Sequence, residues 1–245
     1  MKGKQLLAAL LVSACVLTAS GCAAKSASVE NLMKDTKKEQ TESLYDTTVV
    51  QDTATALTGF GIKLLQNAMV EANPLVSPLS VASALSMTVN GALGETKTQM
   101  EQALGADTGS LNAYFSVLQT YLKDNQQMKL ANSIWMKDTD TLHIEDAFLQ
   151  QNANVFGAGI YSAPFDDTTK NWVKENTDGM IPEISDKIPT DTVMYLVNAL
   201  AFDAKWASVF QSSDVWDGTF IARDGRKQTG AFLHGEVGQY LHDEH

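Results

Sequence analysis

The chain has 245 residues, a formal net charge of -11 at pH 7 and an ordinary 44% of hydrophobic residues. This length supports one large domain or two small ones, with ample material for a core. The negative charge argues against a nucleic-acid partner, because phosphates would be repelled. The two cysteines, Cys15 and Cys22, both lie near the N-terminus, so the sequence predicts no disulfide framework.

The chain opens with the pattern of a targeting segment. Two early lysines precede the apolar run Leu6–Leu17, which is too short to span a bilayer comfortably. The following Leu-Thr-Ala-Ser-Gly-Cys ends at Cys22 and resembles the processing site of bacterial lipoproteins. This resemblance implies that residues 1–22 form the signal region and that Cys22 becomes the lipidated first residue. An ordinary secretory peptide cut near Ala23 is the alternative, and both interpretations predict export.

Residues 23–50 are rich in Lys, Glu, Ser and Thr and poor in apolar residues, which predicts a flexible tether. The folded part is then expected over residues 51–245. Its first element is a helix over Gln51–Val70, where apolar residues recur at helical spacing and Asp52 is a candidate N-cap.

A buried helix is predicted next. Ser77 can accept a hydrogen bond from a free amide of the first turn, and Pro78 suits the first helical position. Apolar residues cover most of the circumference of this helix, which predicts burial on nearly every side. These residues are Leu79, Val81, Ala82, Ala84, Leu85, Met87 and Val89.

A second, amphipathic helix is predicted directly after it. Gly91 and Gly94 are expected to break the first helix, and Thr96 to Gln99 matches a capping box. The new helix should run to Leu104 and stop at Gly105, the residue type that most often ends helices.

Residues 73–104 also carry a set of fixed spacings. The pattern is Asn73, Ser77-Pro78-x-Ser80, Ala84-Leu85-x-Met87, Gly91-Ala92-x-Gly94-x-Thr96 and Gln99-Met100. In this pattern the segment resembles the serpins, the serine protease inhibitor family. The resemblance covers roughly Asp52 to the last residue. It implies an α+β fold in which helices pack around a large mixed β-sheet.

Periodicity predicts the remaining elements. Helices are expected over Leu111–Leu122, His143–Phe156 and Asp167–Thr177, and strands over Met128–Met136, Ile160–Phe165 and Val193–Phe202. A hairpin with a type I′ turn at Asp224-Gly225 is expected over Thr219–Phe232. The segment NWVKENTDGMI resembles the serpin helix that crosses the face of the main sheet. Here this helix is about one to two turns shorter than usual, which the resemblance connects with less efficient inhibition.

Val193–Phe202 is a near-continuous apolar run, so we expect a central strand covered on both faces. Asn198 interrupts the run, and leaving it buried without a partner would cost about 1–3 kcal/mol. It either faces a crevice or bulge, or pairs with Ser77 and Ser80. The serpin resemblance implies the second arrangement, since LVNALAF matches the strand beside the region called the shutter. Trp206 matches the family's breach, where the inserting loop enters the sheet.

No catalytic constellation is recognised. Ser77 and Ser80 have no histidine in the same segment to activate them. Gly91-x-x-Gly94 lacks the lysine and the strand of a phosphate-binding loop. The spacing of His234, His242 and His245 fits no common metal site. The sequence therefore predicts a non-enzyme without metal or cofactor.

The family's order of segments implies that the C-terminal part of a serpin is missing, including the reactive loop and the strand beyond the insertion gap. The whole protein is then expected to inhibit serine, possibly cysteine, proteases at a bacterial cell surface by reactive-loop insertion. The 245 residues alone should not inhibit. Two alternatives remain open, namely a non-inhibitory serpin-fold binding or scaffold protein and an unrelated binding lipoprotein.

Overall fold

The structure, a computed structural model, describes residues 29–33, 46–69, 74–137, 144–163, 167–182, 188–189 and 191–236. The helices are α1 (Thr47–Ala68), α2 (Pro78–Val89), α3 (Gly94–Leu104), α4 (Thr108–Leu122), α5 (Asp146–Phe156) and α6 (Asp167–Asn176). The strands are β1 (Glu30–Asn31), β2 (Met128–Met136), β3 (Gly159–Ser162), β4 (Met194–Phe202), β5 (Val215–Ile221) and β6 (Lys227–Leu233). A single turn of 3₁₀ helix, Ser212–Asp214, precedes β5. The predicted α+β class is confirmed.

The main sheet is mixed, as predicted, and its strand order is β1-β3-β2-β4. β3 runs parallel to β2, whereas β1 pairs antiparallel with β3 and β4 antiparallel with β2. The β2–β4 ladder is the longest and extends from Met128 opposite Phe202 to Met136 opposite Met194. β2 is therefore the strand around which the sheet is built.

β4 lies at the edge of this sheet, so the prediction of a central strand is wrong for the described part of the chain. There, β2 is the one strand that pairs with β4. The error has a physical reason, because an apolar run indicates that both faces of a strand are covered but says nothing about its two edges. One face of β4 packs on α2, and Tyr195 on the other face stacks near Trp135 at 6.4 Å.

Helices α1 to α5 form the main core beneath the sheet. Its buried residues are Leu57, Ala82, Met87, Val89, Leu104, Leu111, Phe115, Val155, Phe156 and Ala158. The predicted start of α2 is confirmed, with Ser77 at the N-cap and Pro78 at the first helical position. Its burial is less complete than predicted, because Val81 remains 37% exposed.

The N-terminal boundaries differ from the prediction. α1 begins at Thr47, and its cap is Asp46, whose carboxylate accepts a hydrogen bond from the Thr48 amide at 2.8 Å. Asp52 therefore lies inside the helix, and its prediction as a cap is wrong. Within the predicted tether, Glu30–Asn31 forms β1. Such a short strand is held by backbone hydrogen bonds, so side-chain composition does not reveal it.

The predicted capping box of α3 is also wrong. The helix begins at Gly94, which has a φ of 57°, and Thr96 and Gln99 both lie inside it. The N-cap, Leu93, has no side-chain cap, and the Gln99 amide donates to Glu95 at 3.0 Å instead. The C-terminal end is confirmed, because Gly105 adopts a left-handed φ of 80°.

β5 and β6 form a separate antiparallel hairpin. Its turn is not type I′, because only Gly225 has a positive φ and type I′ needs two such residues. The Gly225 amide donates to the Ala222 carbonyl at 2.8 Å, and the Ala222 amide donates to the Arg226 carbonyl at 2.9 Å. This is the pattern of a three-residue loop that ends in a left-handed glycine.

Candidate functional site

A buried polar network crosses the main sheet at the junction of β2 and β4. Asn132 and Asn198 are directly opposite each other in the two strands. The Asn198 side-chain amide donates to Asn132 Oδ1 at 2.7 Å. Asn132 is only 2% exposed, so these two side chains form a polar connection across an otherwise apolar pair of strands.

Asn132 extends the network to two helices. Ser83 of α2, which is fully buried, donates its hydroxyl to Asn132 Oδ1 at 3.0 Å. Asn132 Nδ2 donates to the carbonyl of Phe156, the last residue of α5, at 3.0 Å. Asn132 Oδ1 thus uses both of its acceptor positions. The network connects α2, α5, β2 and β4 through one side chain.

The predicted pairing of Asn198 with Ser77 and Ser80 is wrong. Ser77 accepts from the Ser80 amide at 3.3 Å as the helix cap, and its hydroxyl bonds to the Ser80 hydroxyl at 2.9 Å. α2 does pack against β4, but it reaches the network one turn later, through Ser83. Ser77 and Ser80 bond to each other at the cap, and Ser83, three residues beyond Ser80, makes the contact with Asn132.

Ser83 and Asn132 were not predicted as members of the network, although the sequence carries a signal for each of them. Ser83 follows Ser80 by three residues, the spacing that keeps two side chains on one face of a helix. Asn132 is the one amide side chain in β2, as Asn198 is in β4. Pairing the two strands by these residues would have predicted the observed register.

Several buried polar atoms of this region have no hydrogen-bond partner among the described residues. They are Asn198 Oδ1, Ser86 Oγ, Asn152 Oδ1 and Gln119 Nε2. An unpaired buried group of this kind costs about 1–3 kcal/mol. Asn198 Oδ1 differs from the others because it belongs to an edge strand, where a donor from another segment can reach it.

The opposite face of the sheet is covered by α6 through aromatic packing. Trp135 of β2 is 1% exposed and stacks on Tyr161 at 4.5 Å. Trp172 of α6 meets Trp135 edge to face at 6.4 Å. The Thr169 hydroxyl of α6 bonds to the Tyr195 hydroxyl of β4. α6 is thereby attached to both long strands of the sheet.

A lysine–carboxylate pair fixes the turn that follows α6. Lys129 of β2 pairs with Asp178. Asp178 and Gly179 both have positive φ values, 50° and 79°. The turn thus takes up the tight conformation that ends the helix.

Trp206 lies four residues beyond the end of β4. It is 70% exposed and contacts Phe210 edge to face at 5.8 Å. Its assignment to the breach stays a prediction, since none of its contacts bears on loop entry.

An apolar groove of about 600 Å³ lies between α1 and the segment that precedes α2. Leu57, Ile62, Leu65, Leu75, Leu79 and Tyr114 are among its lining residues. Among the described lining residues Tyr114 is the one titratable side chain, and burial raises the pKa of that phenol. The groove therefore offers an apolar binding surface and no acid–base pair.

The other predicted site residues contribute no chemistry that the structure describes. Cys22, Asn73, His242 and His245 lie outside the described residues. His234 stacks on Trp216 at 4.2 Å. Within the part of the chain that is described, no cluster of His, Cys, Asp or Glu is arranged to hold a metal ion. None of the helices described there is long and apolar enough to cross a membrane.

Comparison with known proteins identifies the family to which this chain is similar. The family model described as Serpin (serine protease inhibitor) matches residues 55–245. Leukocyte elastase inhibitor of Sus scrofa is 31% identical over 188 residues, which cover 70% of this chain and 49% of that protein. Neuroserpin of Homo sapiens is 28% identical over 185 residues, 67% of this chain and 45% of that protein.

Solved structures give the same result. The crystal structure of tengpin, a thermophilic serpin, in the native state superposes with a TM-score of 0.72 and 38% sequence identity. The superposition covers 84% of this chain and 54% of tengpin. The chain thus spans about half the length of the curated relatives it matches.

Proposed function

This chain belongs to the serpin family, and on that premise we propose that the whole protein inhibits serine, possibly cysteine, proteases at a bacterial cell surface. The proposed mechanism is suicide inhibition. A protease cleaves an exposed reactive loop, the loop inserts into the main sheet as a new strand, and the trapped protease is deformed. In this mechanism the protein is cleaved by the protease that it inhibits, and it is not itself an enzyme.

The observation that carries this proposal is the edge of β4 that is open among the described residues. Nine residues of β4 pair with β2 on one side only, within the described residues. An edge of this length presents a row of unpaired backbone groups, which is what an incoming strand requires. The reactive loop itself would come from a part of the protein outside these 245 residues.

The polar network lies at the edge strand beside which a new strand would insert. Insertion beside β4 must change the surroundings of Asn198, whose Oδ1 is buried and has no partner in the part of the chain that the structure describes. Asn198 is coupled through Asn132 to Ser83 of α2. We therefore assign to Asn198, Asn132 and Ser83 the role of the shutter, in which they hold α2 and the two strands in register. Ser77 and Ser80 support this role by fixing the start of α2, and Trp206 retains its proposed place at the breach.

Incubation of the whole protein with serine proteases of trypsin, chymotrypsin and elastase specificity tests the proposal, with a papain-type enzyme as the cysteine protease. We expect a complex that resists SDS with at least one serine protease. Loop cleavage should also raise the unfolding temperature, because the inserted strand completes the sheet. A cleaved loop without any complex or rise in unfolding temperature would refute inhibition by insertion.

A second candidate function is non-inhibitory binding at the cell surface. The apolar groove between α1 and the segment before α2 favours it, as does the firm attachment of α6 to β2 and β4. An α6 that resists displacement would hinder expansion of the sheet. In this case the loop would be cleaved as an ordinary substrate, and the same protease assay separates the two functions.

Attachment to the membrane through a lipid at Cys22 completes the proposal. Its support is the lipoprotein-type motif that ends at Cys22. We expect Cys22→Ser to move the protein from the membrane fraction to the soluble fraction. Cys15→Ser is the matched control, because Cys15 belongs to the proposed signal and its loss should leave the partition unchanged. An unaltered partition of Cys22→Ser would exclude the lipid anchor.

A further inference from the structure

We propose that the protein stands on the membrane with a defined polarity, in which the end of the sheet where β4 begins is membrane-proximal and the Trp206 end is membrane-distal. The partner of the proximal end is the lipid surface. This inference rests on the proposed lipid anchor at Cys22, and the position of β1 carries it.

β1 ties the segment that follows Cys22 to the edge of the sheet. Glu30 is opposite Ser162 of β3, and the Leu32 amide donates to the Ile160 carbonyl at 2.9 Å. These are backbone contacts with a strand that is itself paired with β2.

Met33 strengthens this tie. It packs on the buried cluster of Ile134, Met136 and Ile160. The chain is thus fixed to the sheet at residues 30–33, long before α1 begins at Thr47.

The pairing of β1 with β3 shortens the segment of chain between the lipid anchor and the first residue that is fixed to the sheet. Eight residue steps separate Cys22 from Glu30, and fully extended they span at most about 28 Å. Without β1 the first fixed point would be Thr47, 25 steps away, with a reach of about 85 Å. A tether of the longer kind would leave the domain free to tumble, whereas the shorter one holds one end near the lipid.

The register of the strands shows which end of the sheet is held near the lipid. Ser162, Met136 and Met194 lie in one row across the strands. β1 runs antiparallel to β3, and its first residue, Glu30, is opposite the last residue of β3. The chain that comes from Cys22 therefore reaches the sheet at this row. Neighbouring strands are about 4.8 Å apart, so Glu30 lies about 14 Å from Met194.

β4 then leads away from the anchored row. Its eight steps from Met194 to Phe202 cover about 26 Å, and Trp206 follows beyond them. The Trp206 end, where the proposed function places loop entry, therefore faces outward.

Energy transfer from the protein to the lipid surface tests this polarity. Two matched label positions flank β4, the exposed residues Asp191 and Asp203. Within these 245 residues, Asp191→Cys and Asp203→Cys each introduce the one thiol open to a donor dye, since Cys22 carries the lipid and Cys15 leaves with the signal. The whole lipidated protein, purified from bacterial membranes, is placed in vesicles that contain an acceptor lipid.

We expect transfer to be several-fold stronger from position 191, because position 203 lies beyond the far end of β4, a strand about 26 Å long. Leu32→Pro removes the amide that bonds to Ile160 and should bring the two transfer values together. Leu32→Ala keeps that amide and is the control. In the soluble Cys22→Ser protein, the Leu32 amide should be protected from hydrogen exchange, which tests the β1 tie without a membrane.

The outcomes distinguish the proposed polarity on the membrane from the proposed lipid anchor. Equal transfer from both positions in a membrane-bound protein would overturn the polarity and leave the anchor standing. Failure of the wild-type protein to enter the membrane fraction would overturn both. A Leu32 amide that exchanges freely would overturn the polarity whatever the anchor does.

Discussion

The two sheets of this molecule have opposite relations to solvent. In the main sheet, Trp135 is 1% exposed because α6 covers the face on which it lies, and the core helices cover the other face. In the hairpin, Trp216 is 58% exposed, and Phe220, Ile221 and Leu233 are each more than half exposed. Both sheets have strand-forming sequences, so the difference lies in the layers that pack on them.

This difference shows that strand pairing and core formation are separate requirements. A two-stranded hairpin is marginally stable by itself, and an apolar face of this kind indicates contact with other segments. The β5–β6 hairpin is therefore the region whose surroundings are expected to change most in the whole protein. The main sheet already has its covering layers, and among the described residues its open feature is the edge of β4.

The largest expected effect comes from the tryptophan at the centre of the main sheet. Trp135→Ala in the whole protein should lower the free energy of unfolding by about 3–5 kcal/mol, because a buried aromatic leaves a cavity. The matched variant Trp216→Ala should cost at most about 1 kcal/mol as long as this side chain keeps its 58% exposure in the whole protein. Urea unfolding measures both. A Trp216 effect as large as that of Trp135 would show that the hairpin is equally covered, and the contrast between the sheets would fail.

The next effect separates the centre of the polar network from its edge. Asn132→Ala removes the partner of Ser83, Asn198 and the Phe156 carbonyl, and should cost about 3 kcal/mol. Asn198→Ala removes one bond and also an unpaired oxygen, so it should cost only about 1 kcal/mol. Equal losses in urea unfolding would mean that Asn132 is not the centre of the network. A double-mutant cycle of Ser83→Ala with Asn132→Ala should give a coupling of at least about 0.5 kcal/mol.

Much of the fold was predictable from the sequence. The helix bounds at Ala68, Leu104, Leu122 and Phe156 agree within two residues with the predicted ends, since 3.6-residue periodicity and Gly105 are local signals. The start of α2 at Ser77-Pro78 was equally clear. These features depend on residues close together in the chain.

The features that were missed depend on residues far apart. The partner of Asn198 is 66 positions away in the sequence, and no periodicity of β4 points to it. The edge position of β4 and the pairing of β1 with β3 are likewise set by backbone groups, which every residue but proline carries alike. In the candidate site, Asn198 was recognised by its polarity in an apolar run, whereas Asn132 and Ser83 required the register of two strands and a helix.

The smallest expected effect lies outside both sheets, at the start of α4. Hydrogen bonds from the Ser110 hydroxyl and amide lower the pKa of the Asp107 carboxyl. Asp107→Ala should therefore cost about 0.5–1 kcal/mol at pH 7 by loss of the helix cap. Because the pKa is lowered on folding, the contribution is present above the ordinary value and disappears as the pH falls through the folded value.

Unfolding measured from pH 7 down to pH 2 checks this prediction. The difference between wild type and Asp107→Ala should shrink below about pH 4. Asp124→Ala, at an exposed position next to the end of the same helix, is the control and should show no such trend. A deficit that persists unchanged at pH 2 would mean that the carboxylate charge does not stabilise the cap.

Hydrogen exchange along β4 in the whole protein, before and after cleavage by a protease, tests the central claim most directly. In an antiparallel pair, every second residue of β4 directs its amide to β2 and the others direct theirs to the free edge. Strand insertion predicts that the edge-facing amides between Met194 and Phe202 become strongly protected after cleavage, while those bonded to β2 stay protected throughout. Edge-facing amides that exchange at the same rate before and after complete cleavage would contradict it.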